Sequence, residues 1–329
     1  LTLDGASSVD VQGAVTTTNL TTETAAMVDS INIGGNLSVS GGTLTVDNGD
    51  ATVGGDLTSS SAISVTSGAL AVTGDASLGG NVTTSGDLTL SDSDGVVLTA
   101  DTELDGDNVL VSSGVSGAFT LTLDGATSAD VQGAVTTSNL TTETAAMVDS
   151  VNIAGDLSVS GGTLTVDTAN AAVGGNADIN SQVSVTSGSL AVTGTSAIGA
   201  NVTTSTSQTY TGAATLDAGG ALNLTGSTVS FGNSLTGDNE NLTITGNGSF
   251  TGAVSSIAAL QVTGDATTGS TVSATSVAFD SNSSLGGNVT ATGDITLSDG
   301  DGVVLTADTE LDGDNVTVSS GVSGAFTLT

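Results

Sequence analysis

What most limits the fold of this chain is that it copies itself. Residues 1 to 30, LTLDGASSVDVQGAVTTTNLTTETAAMVDS, return with few changes at 121 to 150, an offset of 120. The likeness continues through NVTTS at 81 to 85 and 201 to 205. The register then changes, because GVVLTADTELDGDNV at 95 to 109 reappears at 302 to 316, an offset of 207. The second copy therefore carries 207 − 120 = 87 additional residues, roughly 206 to 292. The closing AFTLT at 325 to 329 matches 118 to 122, where one copy runs into the next, so the sequence reads as a fragment of a longer array. Repetition on this scale marks architectures in which each unit packs only on its neighbours. We expect one continuous solenoid: a module at 1 to 120 and a second at 121 to 329 with an inserted block of coils at about 206 to 292.

Within each module the apolar residues alternate: Leu37 and Val39, Leu44 and Val46, Ile63 and Val65, Leu70 and Val72, Leu88 and Leu90. This is the period of a strand with one buried face. The runs are separated by Gly, Asn, Asp and Ser, which tolerate positive φ or imitate turns with their side chains. Gly34-Gly35-Asn36, Gly54-Gly55-Asp56 and Gly79-Gly80-Asn81 each precede a fresh apolar start. Taken as successive corners, they predict an all-β parallel helix with roughly 20 to 25 residues per coil. Two alternatives stay open. LSVSGGTLTV at 37 to 46 and ISVTSGALAV at 63 to 72 each read locally as a hairpin, which would give an array of antiparallel β-sandwich modules. TTETAAMVDS at 21 to 30 is the one stretch that reads as a short helix.

Composition favours the solenoid. Lys, Arg, His, Cys, Pro and Trp are absent and aromatic residues make up 2% of the chain, so the core has to be thin and aliphatic. Narrow layers of Val, Leu, Ile and Ala suit stacked rungs better than a sandwich. The formal charge of −34, with no positive side chain, makes nucleic acid and anionic membranes repulsive partners. No apolar run approaches the eighteen or so residues of a membrane-spanning helix, which predicts no insertion of this segment. The chain opens at Leu1 without a basic, apolar leader, so an export signal is expected outside this sequence.

The block QTYTGAATLDAGGALNLTGSTVSFGNSLTGDNENLTITGNGSFTGAV at 208 to 254, followed by LQVTGDATT and LGGNVTATGDITL, resembles the repeats of filamentous-haemagglutinin-type exoproteins and related giant bacterial adhesins. The phrases GDLTLSD, GNVTTS and SGGTLTV extend the resemblance over most of the chain. It implies a right-handed parallel β-helix on a bacterial surface, secreted, with adhesion or matrix building as the role. Similar Gly/Thr/Val phrases occur in phage-type trimeric fibres, which keeps a trimeric β-fibre open.

Catalysis would have to rest on Asp, Glu, Ser, Thr or Tyr210, because His, Cys and Lys are missing. A polysaccharide-cleaving carboxylate pair would also want aromatic platforms, so we expect no enzyme and no organic cofactor. The densest acidic stretch is DSDGVVLTADTELDGD at 92 to 107, with Asp92, Asp94, Asp101, Glu103, Asp105 and Asp107. Its second copy presents Asp299, Asp301, Asp308, Glu310, Asp312 and Asp314. Oxygen ligands at this density suit Ca²⁺. The spacing of Asp92 and Glu103 imitates the first and twelfth positions of an EF-hand loop, but Val96 and Val97 fall at the fifth and sixth, so it is not one. The competing reading is that these carboxylates are solvated turns that blunt the fibre's edges. Asn19-Leu20-Thr21, Asn81-Val82-Thr83 and Asn201-Val202-Thr203 are sequons, the acceptor pattern for N-glycans.

Two functions follow as expectations. One is a self-associating structural fibre or sheath, extracellular and made of identical chains. The other is the rigid stalk of a cell-surface adhesin, whose tip would meet a polysaccharide or host-cell partner.

Overall fold

Alternating Val, Leu and Ile form very short strands here, because the chain bends at Gly, Asn, Asp or Ser before a fourth or fifth residue can extend most of them. The computed structural model describes all 329 residues. It contains strands and no helix, and the strands stack in parallel as a β-solenoid with about 19 residues per turn. The chain divides into two compact units, Leu1–Asp167 and Thr168–Thr329, a division that falls inside the second sequence module.

One turn of the first unit shows the principle. Leu57–Ser59, Ile63–Val65 and Leu70–Val72 are three-residue strands on three sides of the coil. In each, the two outer residues point inward and are buried while the middle one faces out. Each strand pairs with the one a full turn later: Leu57 with Ala76, Ile63 with Val82, Leu70 with Leu88. Side chains therefore stack in columns, about 4.8 Å apart along the axis. Six inward positions per turn fill a narrow, mostly aliphatic core.

The same three columns run through the first unit. The first passes through Thr2, Thr21, Ser38, Thr58, Ser77, Val97 and Ser116, six successive pairings. Thr122, the sequence equivalent of Thr2, lies on the next side, paired with Glu103 above the Val82–Leu104 pair. One 120-residue module thus advances by six and one-third turns. Within the first unit, equivalent residues of the two copies do not face the same way; they are rotated by a third of a turn about the axis.

In the second unit the columns run through Ala171–Val173, Leu190–Val192 and Ser207–Tyr210, then Phe231, Phe250 and onward. The inserted block simply continues this stacking. Where the repeated sequence resumes, its pairings resume with it: Leu285 pairs with Leu305 and Val289 with Leu311, as Leu78 pairs with Leu98 and Val82 with Leu104.

Two expectations need correction, coil length and core composition, and two local alternatives, the hairpins and the helix, are set aside. The coil is shorter than 20 to 25 residues; registers range from Ala134 on Ser150 to Val82 on Leu104 around the mean of about 19. The reason is that Gly34-Gly35-Asn36 and Gly54-Gly55-Asp56 share one corner, whereas Gly79-Gly80-Asn81 is the next corner round. The apparent hairpins are not paired internally: Leu37–Val39 pairs with Leu57–Ser59, and Leu44–Val46 with Ile63–Val65. The stretch read as a helix at 21 to 30 lies in the strands Leu20–Thr22 and Ala25–Ile33. The core is not wholly aliphatic either. In the inserted block Tyr210, Phe231 and Phe250 form one buried column, with ring centroids 5.2 and 5.7 Å apart and nearly parallel planes.

Close stacking dictates two glycines. A Cβ on Gly41 would collide with the Glu23 carbonyl of the turn beneath, and the equivalent Gly161 meets the Glu143 carbonyl in the same way. Gly95 and its copy Gly302 turn with φ of 105° and 103°, a region L side chains avoid.

Candidate functional site

The acidic stretch does not form one site, because a coil of about 19 residues spreads sixteen consecutive residues around most of its circumference. Asp92 and Asp94 lie at the corner before Val96–Leu98; Asp101 lies at the following corner; Glu103 and Asp105 fall in the strand Thr102–Val111, which bends at Gly106 and Asp107. Each carboxylate is used locally. Asp92, only 1% exposed, accepts the N–H groups of Ala76 (2.8 Å), Asp94 (2.8 Å) and Gly95 (3.0 Å). Asp94 lies on the surface, accepting from the Ser93 hydroxyl at 3.4 Å. Asp101 accepts the N–H of Thr120 at 2.8 Å, and Asp107 the hydroxyl of Thr127 at 3.0 Å. Glu103 exchanges two bonds with Asn81, its N–H donating to Oδ1 at 3.1 Å and its Oε2 accepting from Nδ2 at 2.8 Å.

The second copy reproduces much of this. Asp308 accepts the N–H of Thr327 at 2.8 Å, and the N–H of Glu310 donates to Asn288 Oδ1 at 3.0 Å. Asp301, Asp312 and Asp314 are at the surface. Asp299 departs from the pattern: it is 3% exposed, yet neither of its oxygens has a well-formed hydrogen bond. Burial raises its pKa, the nearby hydroxyl and N–H of Ser283 offset this in part, and Asp265 adds repulsion. No group of three or more acidic residues is gathered in a geometry that holds a metal ion.

Stacking gives the carboxylates a different electrostatic character. Asp105 lies in register with Asp124 one turn away, like charge on like charge. Partial burial and the Asp124 charge raise the Asp105 pKa. Glu103 is raised by burial first, then by Asp105, Asp124 and Glu143. Asp56, Asp75 and Asp94 line an open depression, and Asp75 is raised by partial desolvation and then by its three neighbours Asp92, Asp94 and Asp56. With no cationic side chain in the sequence, relief of these columns falls to solvent ions.

One corner carries a ladder of side-chain acceptors. Asn19 Oδ1 accepts the N–H of Asn36 at 2.8 Å, Asn36 Oδ1 that of Asp56 at 3.0 Å, and Asp56 Oδ1 that of Asp75 at 3.2 Å. Each side chain supplies the acceptor that the next turn's corner N–H needs, where the strand ladder is interrupted. The visible signal was Asn or Asp directly after Gly-Gly or Thr-Gly. Asn19, Asn81 and Asn201, the sequon residues, all serve as such acceptors, Asn201 for the N–H of Asn223 at 2.8 Å.

Tyr210, the only phenol, is unavailable for chemistry at the surface: it is 0% exposed and its hydroxyl donates to Gln208 Oε1 at 3.0 Å. Burial pushes its pKa well above the usual phenol value.

Two shallow depressions are equivalent. One is floored by Ala25 and Ala26 beside Met27, the other by Ala145 and Ala146 beside Met147, with volumes of about 260 and 340 Å³. Both methionines project outward and are 44% and 48% exposed. No helix is long and apolar enough to cross a membrane. Compared with known proteins, the chain matches no family model, and neither the curated proteins nor the solved structures gave a match.

Proposed function

We propose that the chain is a structural segment of a secreted, repetitive surface fibre, a filament or sheath built from identical chains. The observation that carries this reading is the module's advance of six and one-third turns without a break in the strand columns. A fold of this kind lengthens by adding modules or whole blocks of turns, and its stability accumulates from neighbour to neighbour. An 87-residue block enters the second copy and the following pairings are unchanged, which a closed domain would not tolerate.

The surface chemistry fits this role. Outward positions are mostly Thr, Ser, Ala and Asp, many of the carboxylates cap or stack on the next turn, and the single phenol is buried. Calcium and other cations act on this surface as counterions that relax the acidic columns, as expected where carboxylates are dispersed around the coil. Negative-stain imaging of the native assembly tests the proposal. Polymers many chains long support it. Isolated chains anchored at one end overturn it in favour of an adhesin stalk.

A further inference from the structure

Met27 and Met147 are the only two methionines, and the chain holds no Cys, Trp or His. With Tyr210 fully buried, these thioethers are the only accessible side chains that a mild two-electron oxidant attacks. Both sit at the outward position of a strand, so the sulfur faces solvent while Ala26 and Val28, or Ala146 and Val148, fill the core on either side. Their surroundings match: Met27 lies in register between Asp10 and Thr45, Met147 between Asp130 and Thr165.

The geometry points to Met27 and Met147 as a pair of equivalent oxidation sites for a peroxide-class oxidant, whose conversion to sulfoxide turns two apolar depressions polar and leaves the fold intact. In the step the sulfur lone pair attacks one peroxide oxygen. An S–O bond forms, the O–O bond breaks, sulfur is oxidised by two electrons, and the other peroxide oxygen leaves as water after proton transfer. The new S–O group stands beside Thr45 or Thr165, whose hydroxyl lies one strand away, about 4.8 Å along the axis, and can donate to it. Nothing in the core changes, because no sulfur is in it. The sites are six and one-third turns apart, roughly 30 Å along the axis, and on different sides of the coil.

The folded full-length chain is treated with dilute hydrogen peroxide and followed by intact mass, peptide mapping and circular dichroism. We expect the mass to rise by two oxygen atoms and stop. The oxygens should map to Met27 and Met147 at comparable rates, no slower than in the denatured chain by more than their partial exposure accounts for, with the β-sheet signal unchanged. The Met27→Leu, Met147→Leu double variant should gain no oxygen. Reaction only in denaturant, reaction at one methionine alone, oxygen uptake by the double variant, or loss of the β signal on oxidation would each overturn the proposal.

Discussion

Asp92 and Asp299 occupy the same place in two copies of one turn, yet Asp92 accepts three backbone N–H groups and Asp299 has no well-formed hydrogen bond. The two positions should therefore respond oppositely to the same substitution. Asp92→Asn keeps the shape but loses a charged acceptor, and an amide N–H₂ then faces backbone donors. We expect a loss of about 1.5–3 kcal/mol, read by chemical denaturation. Asp299→Asn removes a buried charge that little compensates, and the melting temperature at neutral pH should hold or rise.

Mild acid should stabilise the fold. The resolved carboxylate shifts, at Asp75, Glu103, Asp105 and Asp299, are all upward. A group whose folded pKa exceeds its unfolded value binds more protons when folded. Stability therefore rises as pH falls through the folded pKa and levels off below the unfolded value near 4. Melting temperatures measured from pH 7 down toward 4 should climb, and a steady fall over that window would refute the assignment.

The same columns predict a salt effect. Asp105 over Asp124 repels across a single strand spacing, so adding sodium chloride should raise the melting temperature. Calcium should do no more than magnesium at equal ionic strength. A large increment specific to calcium would mean that carboxylates converge on a bound ion.

The aromatic column should be a local stronghold. Phe231 lies between Tyr210 and Phe250, so Phe231→Ala removes two ring contacts and leaves a cavity, at a cost of about 3–5 kcal/mol. Hydrogen exchange should show the loss concentrated in turns around 207 to 250.

At Gly41 the constraint is space. Gly41→Ala pushes a methyl into the Glu23 carbonyl of the turn beneath. The expected cost is about 1–3 kcal/mol, the range for overpacking, with the same result at Gly161. Alanine at Gly13, around which nothing is close, is the control and should be tolerated.

Much of the architecture was legible in the sequence because a solenoid writes itself twice, in the alternation of Leu37 and Val39 along a strand and in the return of whole modules. The length of the coil was harder to read. Three similar Gly-Gly corners look alike in sequence, and only pairing reveals that two share a column and the third does not. Hairpins were a natural reading of LSVSGGTLTV, since a three-residue strand gives no local hint that its partner lies some 20 residues away, as Leu57 does from Leu37. The layout of the acidic stretch was hard to read for a related reason: neighbours in sequence such as Asp94 and Asp105 end on different sides, while Asp105 and Asp124, far apart in sequence, stack. The difference between Asp92 and Asp299 could not be read at all, because it lies in hydrogen-bond geometry within nearly identical phrases.

The extra third of a turn in the 120-residue module sets the compass of an array built from that module alone. Had the module advanced by a whole number of turns, every copy of Met27 would share one bearing and the polymer would have a front and a back. With the observed advance, successive copies point to three bearings in rotation, and the fourth returns to the first. A neighbour arriving from any direction then meets the same side chains, differing only in height.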